Sequence, residues 1–148
     1  MQPLNLPDFD AKIIKEDGKK RIFDFIRKKY VVLTPEEWVR QHFLHYLTDK
    51  LKYPKSLVRI ETGLQQNALQ KRSDILIHDR AGKPWMLVEC KAPDVRLDRN
   101  CFNQALMYNM VLGAPYISVT NGLFHYCFRT GTGLTEPEFL PAIPPYEG

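Results

Sequence analysis

Two apolar runs in the middle of the chain, within "KRSDILIHD" and "KPWMLVECK", are separated only by "DRAG", a polar turn with Gly82 near its end. Short runs of Ile, Leu and Val bounded by turn residues form strands, and so tight a connection pairs them antiparallel. The second run nevertheless carries charge. Glu89 and Lys91 are two residues apart, so in an extended strand their side chains share one face. A core strand that holds a carboxylate and an ammonium side by side needs a reason.

The surrounding elements follow from local chemistry. In "TPEEWVRQHFLHYLTDKL", Thr34 can cap a helix, Pro35 suits its first position and Glu37 stands where a capping box places an acid. Val39, Phe43, Leu44, Leu47 and Leu51 then form an apolar stripe at three- and four-residue spacing. A second helix is expected in "LDRNCFNQALMYNMVLG", capped by Asp98 and stopped by Gly113 with Pro115 beyond. "SLVRIETGL" alternates like a strand, and "PYISVT" and "LFHYCFR" flank the hairpin dipeptide Asn121-Gly122. Near the start, "AKIIKEDGKKRIFDF" reads as a hairpin about Asp17-Gly18, an edge element, and "EPEFLPAIPPYEG" as an extended Pro-rich tail.

The order of hairpin, helix, three strands, helix and two strands implies an α/β fold. Its mixed β-sheet is flanked by α-helices in three layers and preceded by the N-terminal β-hairpin. The 148 residues suit a single domain, with a core over about 33–129, the hairpin over 11–25 and the tail over 131–148. No apolar run approaches the roughly 20 residues of a membrane span, and "MQPLNLPDFD" lacks the basic start and apolar middle of a signal peptide. A cytoplasmic protein with no membrane partner is therefore expected.

Three widely spaced cysteines, Cys90, Cys101 and Cys127, speak against a disulfide framework or a zinc site, and His42, His45, His78 and His125 have no metal-ligand spacing. There is no GxGxxG and no GxxxxGK[ST], so nucleotide-driven work would fall to another chain. The net charge of +4 permits contact with a polyanion without identifying one.

Asp74 precedes the first apolar run and can approach Glu89 at one end of the sheet if the register allows. Carboxylates on apolar strands are costly to bury unless a cation neutralises them. Mg²⁺ accepts such hard oxygen ligands, and the Cys90 backbone carbonyl between the two charged residues offers a further one. Lys91 would then face a substrate phosphate and stabilise the negative charge that builds there.

These pieces carry a family resemblance. "LTPEEWVRQ", "KRSDILI", "LVECKAP", "QALMYN" and "VTNG", in this order over roughly Leu33 to Gly122, resemble the PD-(D/E)XK nuclease superfamily and, more narrowly, the N-terminal nuclease domain of type I restriction enzyme R subunits. The resemblance implies a restriction-endonuclease-like core and metal-dependent hydrolysis of DNA. It implies Asp74 and Glu89 as metal ligands, Lys91 as the catalytic lysine, a first-helix glutamate, and Gln104 with Tyr108 as a QxxxY pair. Mg²⁺, or Mn²⁺, would be the cofactor. The R subunits continue into a helicase motor, whereas this chain does not, so a helicase or other restriction-complex subunit is the expected partner.

Blander readings compete. Asp74 can pair with Arg72 at a strand end, and Glu89 with Lys91 can be a salt bridge on an exposed strand. The first-helix acid is placed at Glu36 rather than Glu37, because Glu37 already serves the capping box while Glu36 leans toward the core. The basic groups Lys19 to Arg21 and Arg27 to Lys29 fit a solvated face as well as a phosphate track. The alternative function is a nucleic-acid-binding or assembly module that keeps the nuclease fold but cuts only with partners, or not at all. RNA in place of DNA is a third possibility.

Overall fold

The structure, a computed structural model, describes residues 1–60, 75–130 and 136–147. Its first turn forms because Asp17 and Gly18 both take left-handed backbone, at φ 53° and 76°, as a two-residue hairpin loop demands. Strands β1 (Ile13–Glu16) and β2 (Lys19–Asp24) pair across it. The expected hairpin is present, but it is not an edge of the main sheet. Strand β3 (Lys29–Val32) pairs with the other side of β2 and completes a separate three-stranded sheet. The turn before β3 is built from charged residues: Asp24 accepts hydrogen bonds from the Ile26 and Arg27 amides at 2.8 and 2.7 Å, and Lys28 sits at φ 58°. With no glycine to mark it, the basic stretch conceals a strand.

Helix α1 (Pro35–His45) starts at Thr34, whose hydroxyl accepts from the Glu37 amide at 3.0 Å. The single helix expected as far as Leu51 instead changes into a π-helical turn, Tyr46–Lys50, which keeps Leu47 in the core. A 3₁₀ turn, Lys55–Leu57, leads into β4 (Val58–Ile60). After it come β5 (Ile75–His78), β6 (Pro84–Cys90), α2 (Arg99–Leu112), β7 (Tyr116–Thr120), β8 (His125–Arg129) and β9 (Glu138–Leu140).

These strands form one six-stranded sheet in chain order from β4 to β9. Every neighbouring pair is antiparallel except β6 with β7, which run parallel because α2 carries the chain back across the sheet. The turn between β5 and β6 is closed by Asp79, whose carboxylate accepts from the Ala81 and Lys83 amides at 2.9 Å each. Helix α2 has the predicted ends: the Asp98 side chain accepts from the Cys101 amide, and Gly113 takes φ 71°.

Strand alternation gives each helix its own core. On one face Val39, Phe43, Leu44 and Leu47 pack against Ile75, Ile77, Met86, Val88, Cys90 and Cys127. On the other, Ala105 of α2 packs with Leu76, Leu87, Ile117, Val119 and Phe128. The mixed sheet flanked by helices is as expected. The Pro-rich tail is extended, but it is also built into the sheet: β9 adds beside β8, and the Tyr53 hydroxyl donates to the Pro144 carbonyl at 2.6 Å.

The N-terminal segment lies over α1 and the β7–β8 turn. Trp38 donates its indole N–H to the Gln2 carbonyl at 2.8 Å, the Asn5 amide donates to the Gly122 carbonyl at 2.8 Å, and Phe9 stacks on His45 at 4.1 Å. Gly122 is at φ 87°, which strains any residue with a Cβ, and a Cβ there would also stand 2.8 Å from a Leu4 methyl and push it aside.

Burial beneath this segment holds the pKa of both His42 and His125 below the usual histidine value. A histidine with a depressed folded-state pKa binds fewer protons when folded. Its contribution is complete above the unfolded value of about 6.5 and is lost as the pH falls below it. The melting temperature is therefore expected to fall as the pH drops below about 6.5. A His125→Gln variant should melt with a shallower pH slope; an identical slope would remove His125 from the account.

Candidate metal and substrate site

The site is built where the two parallel strands end. Glu89 lies opposite Val119 and Cys90 opposite Thr120, and the Lys91 amide extends the ladder by donating to the Thr120 carbonyl at 2.8 Å. Open crevices at the carboxyl ends of parallel strands are where α/β proteins bind their ligands. Alternation places Cys90 in the core beneath α1, and hence Glu89 and the half-buried Lys91 on the α2 face. Glu89 is only 6% exposed. The exposed-strand salt bridge weighed from sequence thus does not describe this strand, which is buried from Met86 onward.

The backbone adds a direction. Since the Lys91 N–H points to β7, the amide and carbonyl of Cys90 point the other way, toward the β5 side. There the described ladder ends with Ile75 opposite Val88, one residue short of Glu89. Asp74, the sequence neighbour of Ile75, lies outside the described residues. Among the described residues no group of three or more His, Cys, Asp and Glu side chains is arranged to hold a metal. What they supply is the Glu89 carboxylate and the Cys90 carbonyl, both hard oxygen donors that fit Mg²⁺ in type.

Helix α1 packs on the opposite face, so Glu36 and Glu89 do not share a sheet face. Its acids are also arranged differently from the expectation. The Glu36 side chain is 46% exposed and pairs with Arg40 at 2.8 Å, whereas the Glu37 side chain is 8% exposed. Glu37, and not Glu36, leans inward. Its two oxygens meet Arg40 at 2.6 Å, Arg27 at 2.8 Å and Gln41 at 2.9 Å, while its backbone amide donates to the Thr34 cap. Asp24 joins the same group, accepting from Arg27 Nε at 2.7 Å and Gln41 Nε2 at 2.8 Å. This network fastens the three-stranded sheet to α1. It was invisible in the sequence because its partners are as many as 17 residues apart.

On α2, Tyr108 packs partly buried against the second core, on the face shared with Glu89, while Gln104 one turn earlier is exposed. An aromatic surface beside the site also escaped the sequence reading. Phe124, Tyr126 and Phe128 alternate through the turn and β8, and the same period that assigned the strand also puts all three on the α2 face.

A three-layer α/β protein with a buried carboxylate and a lysine at the ends of its parallel strands is thus defined. The chain belongs to the family described as type I restriction enzyme R protein N terminus (HSDR_N), whose model matches residues 35–144. No curated protein matches it. Among the described residues no helix is long and apolar enough to cross a membrane.

Proposed function

We propose that this protein is a Mg²⁺-dependent deoxyribonuclease that hydrolyses DNA phosphodiester bonds. The observation that carries the reading is buried Glu89 two residues before Lys91, on one face at the ends of parallel strands, in a chain of this family. Glu89, the Cys90 carbonyl and Asp74 hold the metal in this proposal, with Mn²⁺ able to replace Mg²⁺. When bound, the metal neutralises phosphate charge and makes water a stronger nucleophile.

The Lys91 ammonium lies two residues along the same face and binds the phosphate, stabilising the charge that develops on its oxygens. Tyr108 and Gln104 orient the substrate from α2. The last member of the proposed set is a first-helix glutamate, Glu36 or Glu37, acting from α1 on the other face of the sheet. The proposal extends to residues 1–148 acting as one nuclease unit in the cytoplasm, with a helicase or another restriction-complex subunit as partner.

The test is cleavage of supercoiled plasmid and single-stranded circular DNA in Mg²⁺, Mn²⁺ and EDTA. Wild type should cut with either metal and not in EDTA, and folded Lys91→Ala should cut on the order of 10²–10³-fold more slowly. Wild-type rates in Lys91→Ala would remove the lysine from the mechanism. Salt-dependent binding without cutting under every condition would favour the non-cleaving assembly module.

A further inference from the structure

Phe124 and Tyr126 remain 61% and 39% exposed, although both sit on the face whose next aromatic, Phe128, is buried. With Pro93, Asp94, Arg96 and Asn121 they line an open groove of about 430 Å³. The two walls of the groove are tied together. The buried Asn121 side chain donates to the Val95 carbonyl at 2.9 Å and accepts from the Leu123 and Phe124 amides at 3.0 and 2.8 Å. One amide therefore ties the loop after Lys91 to the turn that carries Phe124, and Tyr126 is braced edge-on by Phe102 of α2 at 5.4 Å.

Register locates the groove relative to the site. Glu89 lies opposite Val119, and Val119 opposite Tyr126. The two residues thus stand in one row across the sheet, their backbones two strand spacings or about 10 Å apart. The other wall begins at Pro93, two residues beyond Lys91.

We propose that this groove binds an unpaired DNA base flanking the cleaved phosphate, stacked on Phe124 and Tyr126. The placement of that phosphate rests on the nuclease reading above. Rings held exposed on a hydrogen-bonded turn offer a sequence-tolerant platform, since every base has a π-face. Arg96 on the wall can pair with a strand phosphate, and Asp94 on the same rim can accept hydrogen bonds from base amino groups. In a duplex the base faces are hidden within the stack. The occupant is accordingly single-stranded or locally unpaired DNA.

The experiment is fluorescence anisotropy in EDTA with a labelled single-stranded oligonucleotide and its duplex at equal salt, using the full chain. Wild type is expected to bind the single strand more tightly. Phe124→Ala should weaken that binding by about 5- to 150-fold and leave duplex binding unchanged. Phe124→Trp should restore it, with its added emission quenched by the oligonucleotide. Equal affinity for the two forms, or full affinity in Phe124→Leu, would overturn the proposal. So would sedimentation showing that wild type self-associates and Phe124→Ala does not, because the groove would then join two copies of the chain. Because no metal is present, failure to cut with normal single-strand binding counts against the nuclease reading alone.

Discussion

Glu89→Gln is expected to abolish metal-dependent cutting, by on the order of 10²–10³-fold or more, while leaving a folded protein. Gln preserves the volume and hydrogen-bonding reach of the side chain at a position only 6% exposed. The backbone of β6 therefore has no cause to shift. What changes is the charge. A neutral amide oxygen is a far weaker ligand for a hard divalent cation than a carboxylate, so the loss should appear as a requirement for much more metal and as a lower rate at saturation. Rates measured across a Mg²⁺ titration, with circular dichroism as a check on folding, separate this from damage to the core. An unchanged metal dependence would exclude Glu89 as a ligand.

Asp24→Ala is expected to cost stability rather than chemistry, by about 3–5 kcal/mol. Asp24 is 0% exposed and accepts from the amides of Ile26 and Arg27, from Arg27 Nε and from Gln41 Nε2. Alanine leaves these donors buried without that carboxylate and leaves the cations near Glu37 with one balancing charge fewer. A loss of this size is a large part of the 5–15 kcal/mol that usually stabilises a fold. The urea midpoint should drop with little change in slope, and Asp24→Asn should fall between the two. A change below about 1 kcal/mol would mean that the three-stranded sheet is held to α1 by other contacts.

Elements whose signals are local were legible in the sequence. Asp98 and Gly113 fix the ends of α2 through a side-chain cap and a left-handed stop, and both involve residues within a few positions of each other. The β5–β6 pair was legible for the same reason. Strand β3 was not, because its turn relies on the Asp24 carboxylate rather than on glycine, and β9 was not, because only pairing with β8 makes Glu138–Leu140 a strand. The orientation of Glu37 depends on Arg27, ten residues earlier and in another sheet's turn. At the site, the shared face of Glu89 and Lys91 followed from strand period alone. The row that joins Glu89 to Tyr126 required a parallel register that no local pattern encodes.

That parallel register also orders events in time. The β7–β8 hairpin, which carries Phe124 and Tyr126, joins residues adjacent in sequence and needs only a short loop to close. Pairing β6 with β7 must wait until the intervening helix has folded back, a closure with a larger entropic cost. On refolding, the β7–β8 hairpin is therefore expected to close before the row that contains Glu89. A chain caught midway would expose Phe124 and Tyr126 before the loop after Lys91 and α2 had closed around them.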